Sequence, residues 1–233
     1  MKKLFLIWSC VLCFVSCVLT VKSQTSCPNV FTCGSNFVDP RDGYIYPTVK
    51  IGTQCWMTKN LEETKYANGD AIPNVTSGWA SLTTGMWCYY SNASGNGTTY
   101  GLLYNWYAVK DGRGLCPQGW YVPSLTEWTI LGDLDGQGGT VEGCALKVTG
   151  STYWGSSNTC ATDSTGFSAL PGGYLSGSVF VNMGSNAYFW ASSTSTSTTG
   201  NYIWLISNGG YMGLGGYNAA RTYGMSVRCV RDN

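Results

Sequence analysis

The chain has 233 residues, of which 11 are cysteine, 13 basic, 12 acidic and none histidine, and charged residues make up only 11%. The lack of histidine excludes Ser-His-Asp and Cys-His catalysis and histidine-ligated zinc. A near-neutral balance without a basic stretch does not make a phosphate-binding surface, so nucleic acid is not an expected partner.

Residues 1–23 read as a secretory signal peptide. Lys2 and Lys3 give a positive start, residues 4–21 are apolar without an acid, and Val21-Lys22-Ser23 precedes a cleavage point before Gln24. The apolar run is short for a bilayer span, and polar residues follow at once, which argues against a retained anchor. Phe14-Val15-Ser16-Cys17 loosely matches a lipobox, an alternative that places a lipid anchor on Cys17. No later segment has the length and apolarity of a membrane helix. The expected location is secreted or cell surface. Loss of Lys2, Lys3 and Lys22 leaves ten basic against twelve acidic residues, a mature charge of −2.

Three cysteines leave with the leader. Eight remain: Cys27, Cys33, Cys55, Cys88, Cys116, Cys144, Cys160 and Cys229. An even set in an exported chain reads as disulfides, and the paired C-x-x-C spacing of zinc sites is missing. Short separations favour Cys27–Cys33 and Cys144–Cys160. Cys55, Cys88, Cys116 and Cys229 would then pair among themselves, if at all.

Residues 24–36 read as a polar tether and 37–233 as one domain. Residues 39–43 are a turn signal, and residues 44–57 alternate well enough for two strands joined at Gly52-Thr53. Residues 79–101 read as a long ordered loop. Residues 100–109 place Leu103, Trp106 and Tyr107 at helical spacing. Residues 124–132 form a stronger helix, with Pro123 ahead of a Ser124…Glu127 capping box and Gly132 at the end. A third short helix is expected over 141–148. Beyond Thr149 only strands and loops are expected: a turn and strand over 166–174, an aromatic strand over 187–193, a Ser/Thr loop over 192–200, and closing strands over 201–206, 211–215 and 225–230. With 31 glycines, 16 tyrosines and 10 tryptophans, the composition suits many short elements packed on aromatic side chains. The fold class expected is α+β, with two or three short helices and short antiparallel strands.

Several of these runs resemble one family. Val49-Lys50-Ile51-Gly52-Thr53-Gln54-Cys55-Trp56-Met57 with Asn60-Leu61 is similar to its opening "IGTQ-x-WM…NL" run. Tyr100-Gly101-Leu102-Leu103-Tyr104-Asn105-Trp106 resembles "YG-x-LYNW". Residues 115–124 with Glu127-Trp128 resemble "CP-x-GWHVPS-x-x-EW". Residues 166–174 match "GFSALPGGY", Trp190-Ala191-Ser192-Ser193-Thr194 matches "W-x-SST", and residues 227–232 match "VRCVRD". On these six ordered motifs the chain is identified as a member of the Fibrobacter succinogenes major paralogous domain family, FISUMP. The resemblance implies an irregular C-type-lectin-like or sulfatase-modifying-factor-like domain on an exported surface protein. Some members are variable proteins of diversity-generating retroelements, with hypermutated C-terminal strands. Two departures stand out: Tyr121 replaces the usual histidine, and Cys55, Cys144 and Cys160 are additional.

Asp133-Leu134-Asp135-Gly136 with Glu142 faintly suggests a calcium loop, against the ordinary reading of a solvated loop after a helix. No catalytic residue and no other metal or cofactor is expected. The sulfatase-modifying relatives use a C-terminal cysteine pair, whereas Cys229 stands alone there. Residues 201–223 mix tyrosine, serine, asparagine and glycine, the palette of adaptable binding surfaces. Tyr202, Trp204, Ser207, Asn208, Tyr211, Tyr217 and Asn218 are the candidate contacts. Trp106, Trp120, Trp128, Phe167 and Trp190 are expected in the core. The function expected is a surface-displayed, lectin-like binding module for an extracellular glycan or protein. The rivals are a structural cell-surface or assembly protein and, third, a sulfatase-modifying-type enzyme.

Overall fold

Short strands open the domain. In the computed structural model, which describes residues 31–133, 142–155, 157–214 and 219–232, β1 (Phe37–Val38) pairs antiparallel with β2 (Ile45–Tyr46). The intervening turn is closed by Gly43 N–H donating to the Asp39 carbonyl at 2.8 Å. β3 (Thr48–Ile51) and β4 (Gln54–Met57) form the expected hairpin, turning through Gly52 at φ +57°. β4 is buried along its whole length. Its Trp56 packs on Trp128 and Phe167, with ring centroids 4.8 and 5.5 Å away. β5 (Trp87–Cys88) and β6 (Leu103–Tyr104) make a second small pair.

The main sheet follows: β7 (Gly172–Ser176), β8 (Val179–Met183), β9 (Asn186–Thr194), β10 (Thr199–Ile206), β11 (Met212–Leu214) and β12 (Ala219–Ala220). Its spatial order is β11-β10-β9-β7-β8, with β12 on the start of β10. Its pairs are antiparallel except β7 with β9, which meet in parallel at Gly173 and Ala187. β13 (Val230–Asp232) returns to pair with β4.

The α-helices among the described residues are short: α1 (Ser94–Tyr100), α2 (Trp106–Val109), α3 (Leu125–Gly132) and α4 (Glu142–Leu146). α3 carries the capping box as read, with Ser124 and Glu127 each satisfying the other's backbone donor. The helix expected over 100–109 does not form as one piece. Gly101 at φ +76° ends α1, and Leu103 and Tyr104 pair with β5 instead. A new turn starts only at Asn105, whose side chain accepts from Ala108 N–H. α1 itself lies in the segment read as loop; its sequence Ser-Gly-Asn-Gly-Thr-Thr-Tyr has poor helix propensity. The Ser/Thr loop shortens because β9 runs to Thr194 and β10 begins at Thr199. The closing strand starts at Val230; ahead of it, Met225 and Ser226 make isolated bridges to Tyr104 and Phe189.

The main sheet lies between two hydrophobic clusters. Strand alternation sends Phe189, Ala191, Ile203 and Leu205 to one cluster with Trp128, Leu131 and Phe167. Trp190 on the other face joins Tyr104, Trp106 and Val227. All five expected core aromatics, Trp106, Trp120, Trp128, Phe167 and Trp190, are buried. Arg228 is also buried. Its guanidinium donates to the Asn60 Oδ1 and to the Met57 and Phe167 carbonyls, and lies 4.4 Å from the centre of the Phe167 ring.

Cys144–Cys160 forms as expected, and Cys116 joins Cys229 within the set expected to pair over long range, but Cys33 joins Cys55. Cys33 is therefore not paired with Cys27. Sequence distance misled because the β3–β4 hairpin carries Cys55 to within 5.8 Å of Cys33, Cα to Cα. Cys88 is a buried free thiol. The leader, the lipobox cysteine and Cys27 lie outside the described residues. Among the described residues no helix is long and apolar enough to cross a membrane.

Candidate ligand-binding face

One face of the main sheet carries a row of rings. Tyr188 on β9 faces Trp204 on β10 in register, and Tyr202 lies two residues before Trp204 on the same face. Tyr174 on β7 and Tyr223 extend the row. Centroid separations along it are 5.8 Å (Tyr223–Tyr174), 4.7 Å (Tyr174–Tyr188), 6.0 Å (Tyr188–Tyr202) and 5.7 Å (Tyr202–Trp204). All five rings are half-buried. Four of them, the tyrosines, pack their inner sides on the cluster around Trp190. Tilted ring pairs of this spacing favour one another beyond simple burial, so the rings are held in place while their outer edges stay accessible. Trp204 lies flat on β11, where Gly213 leaves room for it; a Cβ on Gly213 would fall inside the indole.

The candidate contacts divide. Tyr202 and Trp204 stand together on the row. Ser207, Asn208 and Tyr211 lie in the turn between β10 and β11, and Asn208 and Tyr211 are exposed there. That turn is pinned from behind. The Lys147 ammonium donates to the Ile206, Gly209 and Thr159 carbonyls at 2.8–3.0 Å, and the Cys144–Cys160 sulfurs press on Gly210. Ser207 is tied into the same arrangement, its backbone carbonyl accepting from Thr159 N–H and its hydroxyl 3.5 Å from that of Ser157. Tyr217 and Asn218 lie outside the described residues. Sequence reading missed Tyr174, Tyr188 and Tyr223. The period-two pair Asn186 and Tyr188, beside the matching Tyr202 and Trp204, was the available signal.

Two open clefts lie elsewhere, on either side of Asp111. One of about 320 Å³ reaches Trp120, Tyr121 and Ser192; the other, of about 480 Å³, reaches Tyr107, Thr84 and Arg113. Two of the charges that line them, Asp111 and Arg113, answer each other. Arg113 bonds Asp111 at 2.8 Å and Asp70 at 3.2 Å, and this contact holds the Asp111 carboxyl down at about 2. Asp39, Asp42 and Glu63 bring carboxylate oxygens within 4.8 Å of one another. Arg41 supplies the counter-charge, 2.7 Å from Asp39 and 3.2 Å from Glu63. In the proposed calcium loop, Asp133 is exposed, while Asp135 and the Glu142 side chain lie outside the described residues.

The fold and this face together define a small disulfide-bonded α+β domain with an aromatic sheet surface. The Fibrobacter succinogenes major domain matches residues 49–231, and the chain belongs to that family. No curated protein and no solved structure matches it.

Proposed function

We propose that this protein is an exported, surface-displayed recognition module, lectin-like in that it binds an extracellular glycan or protein through the aromatic row of the main sheet. The observation that carries the reading is the row itself: five half-buried rings mounted side by side on a sheet that is clamped between two cores. Rigid aromatic area lowers the entropy lost on binding. Disulfides among the described residues support an oxidising, extracellular setting. Binding is favoured over sulfatase-modifying catalysis because Cys229, the C-terminal cysteine, is engaged with Cys116.

The test is capture on glycan and protein arrays by the wild-type domain and by Tyr202→Ala and Tyr211→Ala. Tyr202→Ala is expected to abolish capture while the melting temperature falls by only a few degrees. Tyr211→Ala is expected to weaken capture if the ligand extends from the row to the β10–β11 turn. Capture unchanged by Tyr202→Ala would count against the placement. Self-association without any captured ligand would favour the assembly-protein alternative.

A further inference from the structure

Tyr188 carries more than a ring. Its hydroxyl oxygen accepts the side-chain amides of Asn182 at 2.9 Å and Asn186 at 2.8 Å. A phenolic oxygen has two lone pairs and one proton. Both lone pairs are engaged, and no acceptor among the described residues takes the proton. Two incoming amides polarise the O–H, so the group is presented outward as a donor.

The two asparagines arrive by different routes. Asn186 lies two residues before Tyr188 on β9 and shares its face by strand alternation. Asn182 reaches across from β8 through an unusual backbone. It sits at φ +65°, opposite Gly173 of β7 at φ +63°. Neither belongs to the register pairs Gly172–Met183 and Tyr174–Val181 that flank them. Gly173 has no room for a side chain, because a Cβ would strike the Val181 carbonyl and Met183 nitrogen. A left-handed residue other than glycine costs about 1 kcal/mol or more, and asparagine is among the few that tolerate it. The local distortion turns one amide onto one half-exposed hydroxyl.

We infer that Asn182, Asn186 and Tyr188 are the polar anchor of the aromatic row, and that its ligand is a neutral glycan. This rests on the recognition reading above. A pyranose presents an apolar C–H face to a ring and acceptor oxygens around its edge. The row matches both features: Tyr174 and Tyr202 flank Tyr188 at 4.7 and 6.0 Å, with one oriented donor between them. Tyr174, Tyr188 and Tyr223 make no ion pair or cation–ring contact with another described residue. Their contacts offer a charged ligand no counter-charge, and a strip one ring wide is narrow for a protein interface.

Native affinity gels cast with soluble neutral polysaccharides (a β-glucan, a mannan) and with an anionic one test the proposal, using wild type, Tyr188→Phe, Asn182→Gly and Tyr202→Ala. Wild type should be retarded by at least one neutral polymer. Tyr188→Phe keeps the ring and loses the donor, and should weaken binding about tenfold, the value of one good hydrogen bond. Asn182→Gly keeps the left-handed backbone and loses the amide, and should weaken binding in the same direction with the fold intact by circular dichroism. Equal retardation of wild type and Tyr188→Phe overturns the anchor. Retardation by no neutral polymer overturns the glycan. In that case, capture of a protein or anionic ligand that Tyr202→Ala removes leaves the recognition face standing, and capture indifferent to Tyr202→Ala removes both.

Discussion

Cys88 is an odd thiol in a chain whose other described cysteines are bonded. Burial alone pushes it up to about 12. A thiol so far above neutral pH holds almost no thiolate and is a poor nucleophile. Native protein treated with iodoacetamide at pH 8 should therefore carry no adduct on Cys88 by mass spectrometry, and the adduct should appear once denaturant is added. Labelling at the native rate of an exposed cysteine would refute this burial. The residue scale is also where the sequence was least legible. Nothing in Val181-Asn182-Met183 announces that Asn182 holds a hydroxyl on another strand, because its reach depends on a backbone angle that only the β7–β8 pairing imposes. Tyr202 and Trp204 were legible as a pair because the period-two alternation of a half-exposed strand is local information.

At the level of elements, β11 carries the Trp204 ring. Gly213 stands opposite Trp204 in register, and the side chain it lacks leaves the space that the indole fills. Gly213→Ala should force the ring off the strand, lowering stability by about 1–3 kcal/mol, as overpacking commonly does. Chemical denaturation would read the loss, and the change in tryptophan fluorescence should accompany it. Elements with strong local signals were readable: the capped α3 and the hairpin turning at Gly52 fall where expected. Residues 100–109 were misread because apolar spacing alone cannot separate a helix from a short strand followed by a turn. Asn105 settles the matter through its cap, and Tyr104 through its pairing with Trp87. α1 was illegible because its helical form owes little to propensity; at its centre Gly97 packs tightly on the Tyr89 ring.

Across the whole molecule, Cys116–Cys229 joins the middle of the chain to its last strand, closing a separation of 113 residues. Loops of that size restrict the unfolded chain strongly, by roughly 4–5 kcal/mol in the chain-entropy account. The double replacement Cys116→Ala/Cys229→Ala should lose about that much in urea unfolding, and more than the Cys144→Ala/Cys160→Ala pair, whose separation is 16. The opposite ranking would mean that strain or residual structure outweighs loop closure. The class of the fold, its aromatic cores and its dependence on disulfides followed from composition. The long-range pairings did not, because they depend on how the sheets bring distant cysteines together.

The buried cations have one more consequence. The Lys147 ammonium is met by three peptide oxygens, and the Arg228 guanidinium by two peptide oxygens and an amide. Neither clamp relies on a carboxylate for its hydrogen bonds. Acid that discharges aspartate and glutamate leaves these bonds in place, and dissolved ions, which screen exposed pairs within about 10 Å at 0.1 M, scarcely reach them. The Lys147 clamp thus keeps the turn between β10 and β11 pinned through swings of acidity and brine that would loosen a turn held by surface ion pairs.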